Sequence, residues 1–379
     1  MSIQNRKKSV ISYKTLYLPF NMIFIENLIP MLPFMVCLFW TVHAGFSFRE
    51  LNRAQRYLGQ FLLVSMLLFL YHAVYYSNNS AADKYNVLNV IYSWATLTTY
   101  PLYYLYIKAI TDNHKPGKGL ITLLFIPGLI AAAASVSVLI FGVRQNVPDL
   151  FISVVRPIQA ILVSVMSLIK LKAFDRSVYD SYSEVEGKTA KPVMILVGVQ
   201  FTAAICSVVL SFLGQRFFTG KAVLAVPSVL FAATIYAIAY VGFRYRFGAF
   251  QMENELKEDI MPTDKETEDS SLFNIIVEKM EKEMVFLQPG LSVVDLAKSI
   301  GSNRTYVSTS INTHSGKSFA LFVNTYRVEY AKTIMEKDGK LSIAQVAEMS
   351  GFASEESFRR NFRNITGKSP SDWTGSVRL

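Results

Sequence analysis

The sequence contains VDLAKSIG at positions 294–301 and VAEMSG at positions 346–351, and these two stretches predict how the C-terminal part of the 379-residue chain folds. In each stretch an alanine precedes a glycine by four residues, and the two copies are 50 residues apart. The small side chain allows two helices to cross closely, and glycine can adopt the left-handed conformation that ends a helix. An apolar pair follows each glycine at helical spacing. The repeat therefore predicts two helix-turn-helix units.

Capping residues and a connecting helix complete the predicted C-terminal domain, which we place at residues 271–379. Ser292, with Asp295 three residues later, can cap a helix of the first unit, and Ser354 can cap a helix of the second. Between the units, apolar residues recur at helical spacing over 318–336. Such a helix would fix the separation of the two units, so that their second helices could enter successive major grooves of one duplex.

The candidate DNA contacts are the polar residues opposite the apolar pairs Val307/Ile311 and Phe358/Phe362. In the first unit they are Asn303, Arg304, Thr305, Ser308, Thr309 and Asn312. In the second unit they are Glu356, Ser357, Arg359, Arg360 and Arg363. Arginine suits guanine or phosphate, asparagine suits adenine or phosphate, and glutamate can accept from cytosine. For any single residue, a solvated surface position is the alternative.

The first 246 residues contain seven apolar runs that are long enough to cross a bilayer, which takes about 20 mostly apolar residues. The runs are Asn27–Phe48, Leu58–Ser77, Tyr85–Ile107, Gly119–Phe141, Leu150–Ile169, Val193–Leu213 and Ala222–Phe243. The whole chain is 51% hydrophobic and 17% charged, with a mean hydropathy of +0.30. We therefore predict an all-α chain, in which a polytopic membrane bundle of about seven spans precedes the all-helical domain.

The loops between the runs predict the orientation of this bundle. Loops after the first, third and fifth runs carry 3, 3 and 5 Lys/Arg, whereas the alternate loops carry 1, 1 and 2. Because Lys and Arg favour the cytoplasmic side, the C-terminal domain is expected in the cytoplasm. Arg6, Lys7, Lys8 and Lys14 disagree with this orientation. Three alternatives follow: the tail crosses despite its charge, translation starts at Met22, or the first run does not span.

The charge distribution separates three parts of the chain. The net charge is +13 over residues 1–246, −6 over 247–270 and +3 over 271–379. The acidic part contains Pro262 and many polar residues, so we predict a flexible linker at 247–270. The weak charge of 271–379 does not by itself indicate a polyanion binder.

Little in the sequence supports catalysis or metal binding. Two cysteines, Cys37 and Cys206, exclude a disulfide scaffold and a four-cysteine zinc site. Four widely scattered histidines leave little for metal chemistry. The sequence shows no phosphoacceptor module, nucleotide loop or ATP site, so a histidine-kinase mechanism is unsupported. We expect no cofactor, no metal and no enzymatic activity. Arg156 lies inside the fifth run, where it either has a function within the membrane or extends to the outer headgroups.

Six stretches stand out in roughly the last 95 residues: LSVVDLA at 291–297, NRTYVS at 303–308, RVEYA at 327–331, LSIAQVA at 341–347, GFAS at 351–354 and GKSPSDW at 367–373. In these stretches the chain resembles the DNA-binding domain of AraC-type transcription regulators. The resemblance implies a seven-helix domain that binds double-stranded promoter DNA, usually as a dimer or on repeated half-sites. Members with an N-terminal multi-span membrane region are known in bacteria, and this chain resembles them. It departs at Ser357, where an aromatic is common, and at Glu355 and Glu356, so the second unit is expected to contribute less or to select a particular base.

These observations predict a membrane-tethered, sequence-specific transcription regulator of the bacterial inner membrane that couples a membrane or extracytoplasmic signal to promoter binding. The expected partners are promoter DNA, membrane lipid, a second copy of the chain on DNA and the transcription machinery. The sequence indicates neither the signal ligand nor whether binding activates or represses. Two alternatives remain: a polytopic transporter or enzyme with an autoregulatory DNA-binding tail, and a regulator whose tail is released by proteolysis.

Overall fold

Helices dominate the computed structural model, which describes residues 28–77, 87–142, 146–217, 225–245, 247–257, 269–338 and 340–377. The predicted all-α fold is confirmed. The chain forms two compact units. The first comprises Met1–Ile110, His114–Lys170 and Pro192–Arg246, and the second comprises Thr111–Asn113, Leu171–Lys191 and Phe247–Leu379. The segment between the fifth and sixth predicted spans therefore belongs to the same unit as the C-terminal domain.

Long apolar helices make up the N-terminal part of the chain. They are α1 (Leu32–Phe46, after a 3-10 turn at Ile29–Met31), α2 (Arg53–Ser77), α3 (Val87–Thr111), α4 (Lys118–Phe141), α5 (Asn146–Tyr179), α6 (Lys191–Phe217) and α7 (Ala225–Arg244). Each predicted apolar run overlaps one of these helices. The ends of the first, third and seventh runs, at Asn27, Tyr85 and Ala222, lie outside the described residues.

Among the described residues, five helical segments are long and apolar enough to cross a membrane. They are Ile29–Phe46, Arg53–Val74, Lys118–Phe141, Val147–Tyr179 and Pro227–Glu255. On α4 and α5 large apolar side chains point outward: Leu123, Leu129, Leu150 and Ile158 are each at least 60% exposed. Water-soluble monomers rarely expose a large continuous apolar surface. These surfaces are suited to lipid.

The other two predicted runs are those of α3 and α6. In α3 the residues 95–99 and 101–107 are buried, and the helix contains Ser, Thr and Tyr where a lipid-facing helix has aliphatic residues. Its Ser93 accepts a hydrogen bond from Ser135 of α4, with 2.7 Å between the oxygens. A helix enclosed by other helices needs fewer apolar side chains than one facing lipid, which explains the lower hydropathy of α3. Over the part of α6 whose side chains the structure describes, the apolar stretch is Lys191–Ala203.

The second compact unit contains the predicted C-terminal domain. Its helices are α8 (Ala249–Lys257), α9 (Asp269–Glu281), α10 (Val293–Ser299), α11 (Arg304–Ser315), α12 (Phe319–Lys337), α13 (Ile343–Met349), α14 (Glu355–Thr366) and α15 (Pro370–Val377). Helices α9 to α15 correspond to the seven helices that the resemblance implies. The pairs α10–α11 and α13–α14 are the two helix-turn-helix units, and α12 connects them, close to the predicted 318–336.

The predicted linker at 247–270 is wrong in its first part, because residues 249–257 form helix α8. Its acidic side chains make specific bonds: Glu253 accepts from the Asn113 amide at 2.6 Å, and Glu255 accepts from the Tyr182 hydroxyl at 2.8 Å. Composition alone does not separate acidic residues that are bonded from those that are only solvated. Residues 258–268 of the linker and the basic N-terminal tail lie outside the described residues.

Candidate nucleic-acid interface

The two helix-turn-helix units begin with the predicted caps. The Ser292 hydroxyl accepts from the Asp295 amide at 3.2 Å, and the Asp295 carboxylate accepts from the Ser292 amide at 2.8 Å, so the two residues form a capping box at the start of α10. In the second unit the Ser354 hydroxyl accepts from the Ser357 amide at 3.1 Å and caps α14. These caps fix where α10 and α14 begin.

The turns and the helix packing also follow the prediction. Gly301 and Gly351 have φ angles of +65° and +82°, in the left-handed region. The apolar pairs that follow them on α11 and α14 are fully buried. With those pairs inside, the opposite surfaces of α11 and α14 are available to a partner.

On α11, Arg304, Thr305 and Thr309 are exposed. Asn303 is not part of the helix: its side-chain oxygen accepts from the Tyr306 amide at 3.0 Å, so it caps α11. Tyr306 itself is 48% exposed, and it is a candidate contact that the sequence analysis did not identify.

Two further candidates on α11 are half-buried and hydrogen-bonded. The Asn312 amide donates to the Ser308 carbonyl at 3.0 Å, within the helix. The Ser308 hydroxyl donates to the carbonyl of Asp180, outside the C-terminal domain, with 3.4 Å between the oxygens. Another segment of the second compact unit thus contacts part of the surface of α11.

On α14, Glu356, Arg359, Arg360 and Arg363 are exposed as predicted. The predicted exposure of Ser357 is wrong, because this residue is only 2% exposed. Ser357 immediately precedes the buried Phe358, and Asn361 donates to its carbonyl at 2.9 Å, so the buried arc of α14 is wider than the pair alone suggests. Ser357 is therefore not among the contacts proposed below.

The exposed arginines of α14 differ in their local partners. Arg359 pairs with Glu355 on the preceding turn, with 2.6 Å between Nη2 and Oε1. Arg360 forms an ion pair with Glu186, a residue of the segment that enters this unit from α5. Arg363, one turn after Arg359, is exposed. Exposed guanidinium groups along one helix are suited to phosphates, which position a protein on DNA.

Arg327 of α12 is completely buried, which its sequence context did not indicate. Its Nε and Nη2 each donate at 2.7 Å, to the carbonyls of Phe286 and Gln288. Burial lowers the pKa of Arg327 to about 10, against the opposing effect of the Glu184 carboxylate 3.7 Å away, so the side chain stays charged at neutral pH. Arg327 therefore holds the segment before α10 against α12 and is not available to DNA.

Among the described residues, no group of three or more His, Cys, Asp or Glu side chains is arranged to hold a metal ion. The surface formed by α11 and α14 carries hydroxyl, amide and guanidinium groups, and these bind by hydrogen bonding and charge. Its chemistry is that of recognition of an anionic polymer.

Comparison with known proteins locates the similarity in this same region. Residues 296–376 match a family model described as a helix-turn-helix domain. An uncharacterized HTH-type transcriptional regulator of Staphylococcus aureus is 32% identical over 85 residues, which are 22% of this chain and 11% of the relative. The Msm operon regulatory protein of Streptococcus mutans is 28% identical over 99 residues, which are 26% of this chain and 35% of the relative. The chain thus covers about a tenth to a third of the length of these relatives. No solved structure matches the chain.

Proposed function

We propose that this chain, whose residues 296–376 belong to the AraC-type helix-turn-helix domains, is a membrane-tethered transcription regulator that binds specific promoter sequences and couples a membrane or extracytoplasmic signal to that binding. The observation that carries the proposal is the pairing of two features in one chain. Two helix-turn-helix units present exposed polar and cationic helices, and elsewhere in the part of the chain that the structure describes five helices are long and apolar enough to cross a membrane.

We assign different roles to α11 and α14, the second helices of the two helix-turn-helix units, which are here called the recognition helices. Arg304 is the first residue of α11 and is exposed, so we assign it to a base edge, with Thr305, Thr309 and Tyr306 beside it. On α14 the three arginines are assigned to phosphates, which fix the register of the domain on the duplex. Glu356 opposes phosphate contact at the start of α14 and would favour cytosine there.

The membrane part is proposed as the anchor and sensor in the bacterial inner membrane. The exposed aliphatic surfaces of α4 and α5 are suited to lipid, and the excess of Lys and Arg in alternate loops favours a cytoplasmic C-terminal domain. Blotting of fractionated cells should recover the C-terminal domain with the membranes. A soluble C-terminal fragment would support release by proteolysis instead.

A binding measurement on the full-length chain tests the proposed function. The protein is placed in lipid nanodiscs, its best duplex is selected from a random library, and affinity is measured at fixed salt. Arg304→Ala should weaken binding by roughly 5- to 150-fold, because one direct base contact is worth about 1–3 kcal/mol, and should relax selection at one base position. The matched control is Lys282→Ala, in the turn just after α9, which removes an exposed positive charge outside both helix-turn-helix units and should change affinity little.

Two results would count against this assignment. If the wild-type protein retains no duplex even at low salt, the proposed function is wrong. If Arg304→Ala and Lys282→Ala reduce affinity equally, Arg304 contributes only charge and makes no base contact.

A further inference from the structure

A short segment outside the C-terminal domain contacts both helix-turn-helix units. Residues 180–186, here called the acidic loop, follow α5 and carry Asp180, Glu184 and Glu186. The Ser183 amide donates to the Leu291 carbonyl at 3.1 Å, and the Val293 amide donates to the Ser181 carbonyl at 2.9 Å. These bonds form an antiparallel bridge next to the capping box of α10. The backbone of the acidic loop is therefore held directly against the first helix-turn-helix unit.

Two carboxylates of the acidic loop, those of Glu184 and Glu186, contact the second helix-turn-helix unit and the helix before it. Glu184 Oε1 accepts from the Ala353 amide at 2.9 Å, just before the cap of α14, and lies 3.7 Å from Nη1 of the buried Arg327. Glu186 forms an ion pair with Arg360 on the exposed surface of α14. The loop thus places negative charge where α14 presents its cations.

The acidic loop also approaches the candidate contacts of α11. The Ser308 hydroxyl donates to the Asp180 carbonyl, with 3.4 Å between the oxygens. One candidate contact on α11, Ser308, and one on α14, Arg360, therefore interact with the same seven-residue segment.

We infer that the acidic loop is an internal competitor of DNA, which occupies the DNA-contacting surface with carboxylates in place of phosphates. This inference rests on the proposed function. A guanidinium group makes charge-assisted hydrogen bonds to carboxylate and to phosphate, so the Glu186 carboxylate competes with a phosphate for the N–H groups of Arg360 and also repels it. Binding of DNA is then favoured when the Glu186 end of the loop leaves.

A second set of contacts connects the acidic loop to the chain that follows the last predicted span. Tyr182 and Lys188 both bond to Glu255 of α8, at 2.8 and 3.0 Å, and the Lys188 ammonium lies 3.7 Å from the centre of the Tyr182 ring. The loop is continuous with α5 and is followed by α6. A signal that moves the ends of these helices would move the competitor, and this gives the sensor a direct route to the DNA-contacting surface.

The test compares full-length variants in lipid nanodiscs on the selected duplex over a range of salt concentrations. Glu186→Gln should bind roughly two- to fivefold more tightly, the effect expected on removing one exposed ion pair that competes with DNA. Its salt dependence should also be steeper, by up to about one in the slope of log affinity against log salt. In the wild type, added salt weakens the Glu186–Arg360 pair as well as the contacts to DNA. Loss of the competing pair therefore offsets part of the affinity for duplex that salt removes.

Two further variants make the test specific. Ser183→Pro removes the amide that bonds to Leu291 and should raise affinity at least as much as Glu186→Gln. Glu329→Gln removes an exposed acid of α12 that pairs with Lys332, so it reports the effect of net charge alone and should leave affinity unchanged.

The outcomes separate this inference from the proposed function. Failure of the wild type and of every variant to bind duplex overturns both. Wild-type binding that Glu186→Gln leaves unchanged or weakens overturns the inference alone. Equal tightening by Glu186→Gln and Glu329→Gln also overturns it, because a general charge effect would then suffice.

Discussion

Gly351 and Gly301 occupy equivalent positions in the two helix-turn-helix units, yet their replacement by alanine should have different costs. Both have positive φ, so alanine at either position pays about 1–2 kcal/mol for the left-handed conformation. A Cβ at Gly301 would meet no atom within 4 Å. A Cβ at Gly351 would lie 2.7 Å from both the Cα and the carbonyl oxygen of Leu287. Backbone atoms cannot rotate away, so the turn at Val285–Leu287 would have to shift.

Displacement of well-packed backbone typically costs about 1–3 kcal/mol in addition. We therefore expect Gly301→Ala to lower the free energy of unfolding of the C-terminal domain by about 1–2 kcal/mol. Gly351→Ala should lower it by about 2–5 kcal/mol. The measurement is pulse proteolysis of the full-length protein in a urea series, with a C-terminal tag to follow the domain. Equal urea midpoints for the two variants, or a lower midpoint for Gly301→Ala, would refute the argument.

Three further predictions concern the same domain. Ser354→Ala should cost about 1 kcal/mol because α14 loses its cap, and the urea midpoint reports it. Arg327→Met should cost about 2–4 kcal/mol, measured in the same way, because the buried carbonyls of Phe286 and Gln288 lose their donors. Hydrogen bonds from Ser369 hold the pKa of Asp372 below its ordinary 3.8. The ionised carboxylate therefore stabilises the folded domain at pH values above 3.8, and this stabilisation is lost as the pH falls through the lowered pKa. Asp372→Asn should therefore reduce the dependence of the urea midpoint on pH below about 4.

Each of these predictions has a matched comparison. Ser354→Asp keeps a capping acceptor and should retain most of the stability lost in Ser354→Ala. Arg327→Lys keeps the charge but not the fork of donors, and it should lie between wild type and Arg327→Met. If the urea midpoint of Asp372→Asn depends on pH below about 4 as strongly as that of the wild type, Ser369 does not stabilise the ionised carboxylate.

The local features of the C-terminal domain were predictable because each depends on residues close in sequence. Ser292 and Asp295 form a capping box through atoms three residues apart, and Gly301 and Gly351 act through their own φ angles. The periodicity over 318–336 depends on helix geometry alone, and α12 follows it to within one residue at each end.

The features that sequence reasoning missed depend on contacts distant along the chain. Arg327 is buried because carbonyls about 40 residues away accept its donors, and nothing near it in the sequence indicates this. The acidic loop bonds to residues more than 100 positions away, so no local pattern predicts its place. Ser357 is a subtler case: the apolar pair sets the direction of the buried arc of α14 but not its width.

In a sealed membrane, duplex should bind only to the face that carries the C-terminal domain. Inside-out and right-side-out vesicles containing the full-length protein should be incubated with the selected duplex, washed and assayed for retained DNA. We predict retention by inside-out vesicles alone, with a strong reduction when Arg304→Ala protein is used. Equal retention by both orientations, or retention by neither, would contradict a membrane-anchored regulator that binds promoter DNA from the cytoplasmic side.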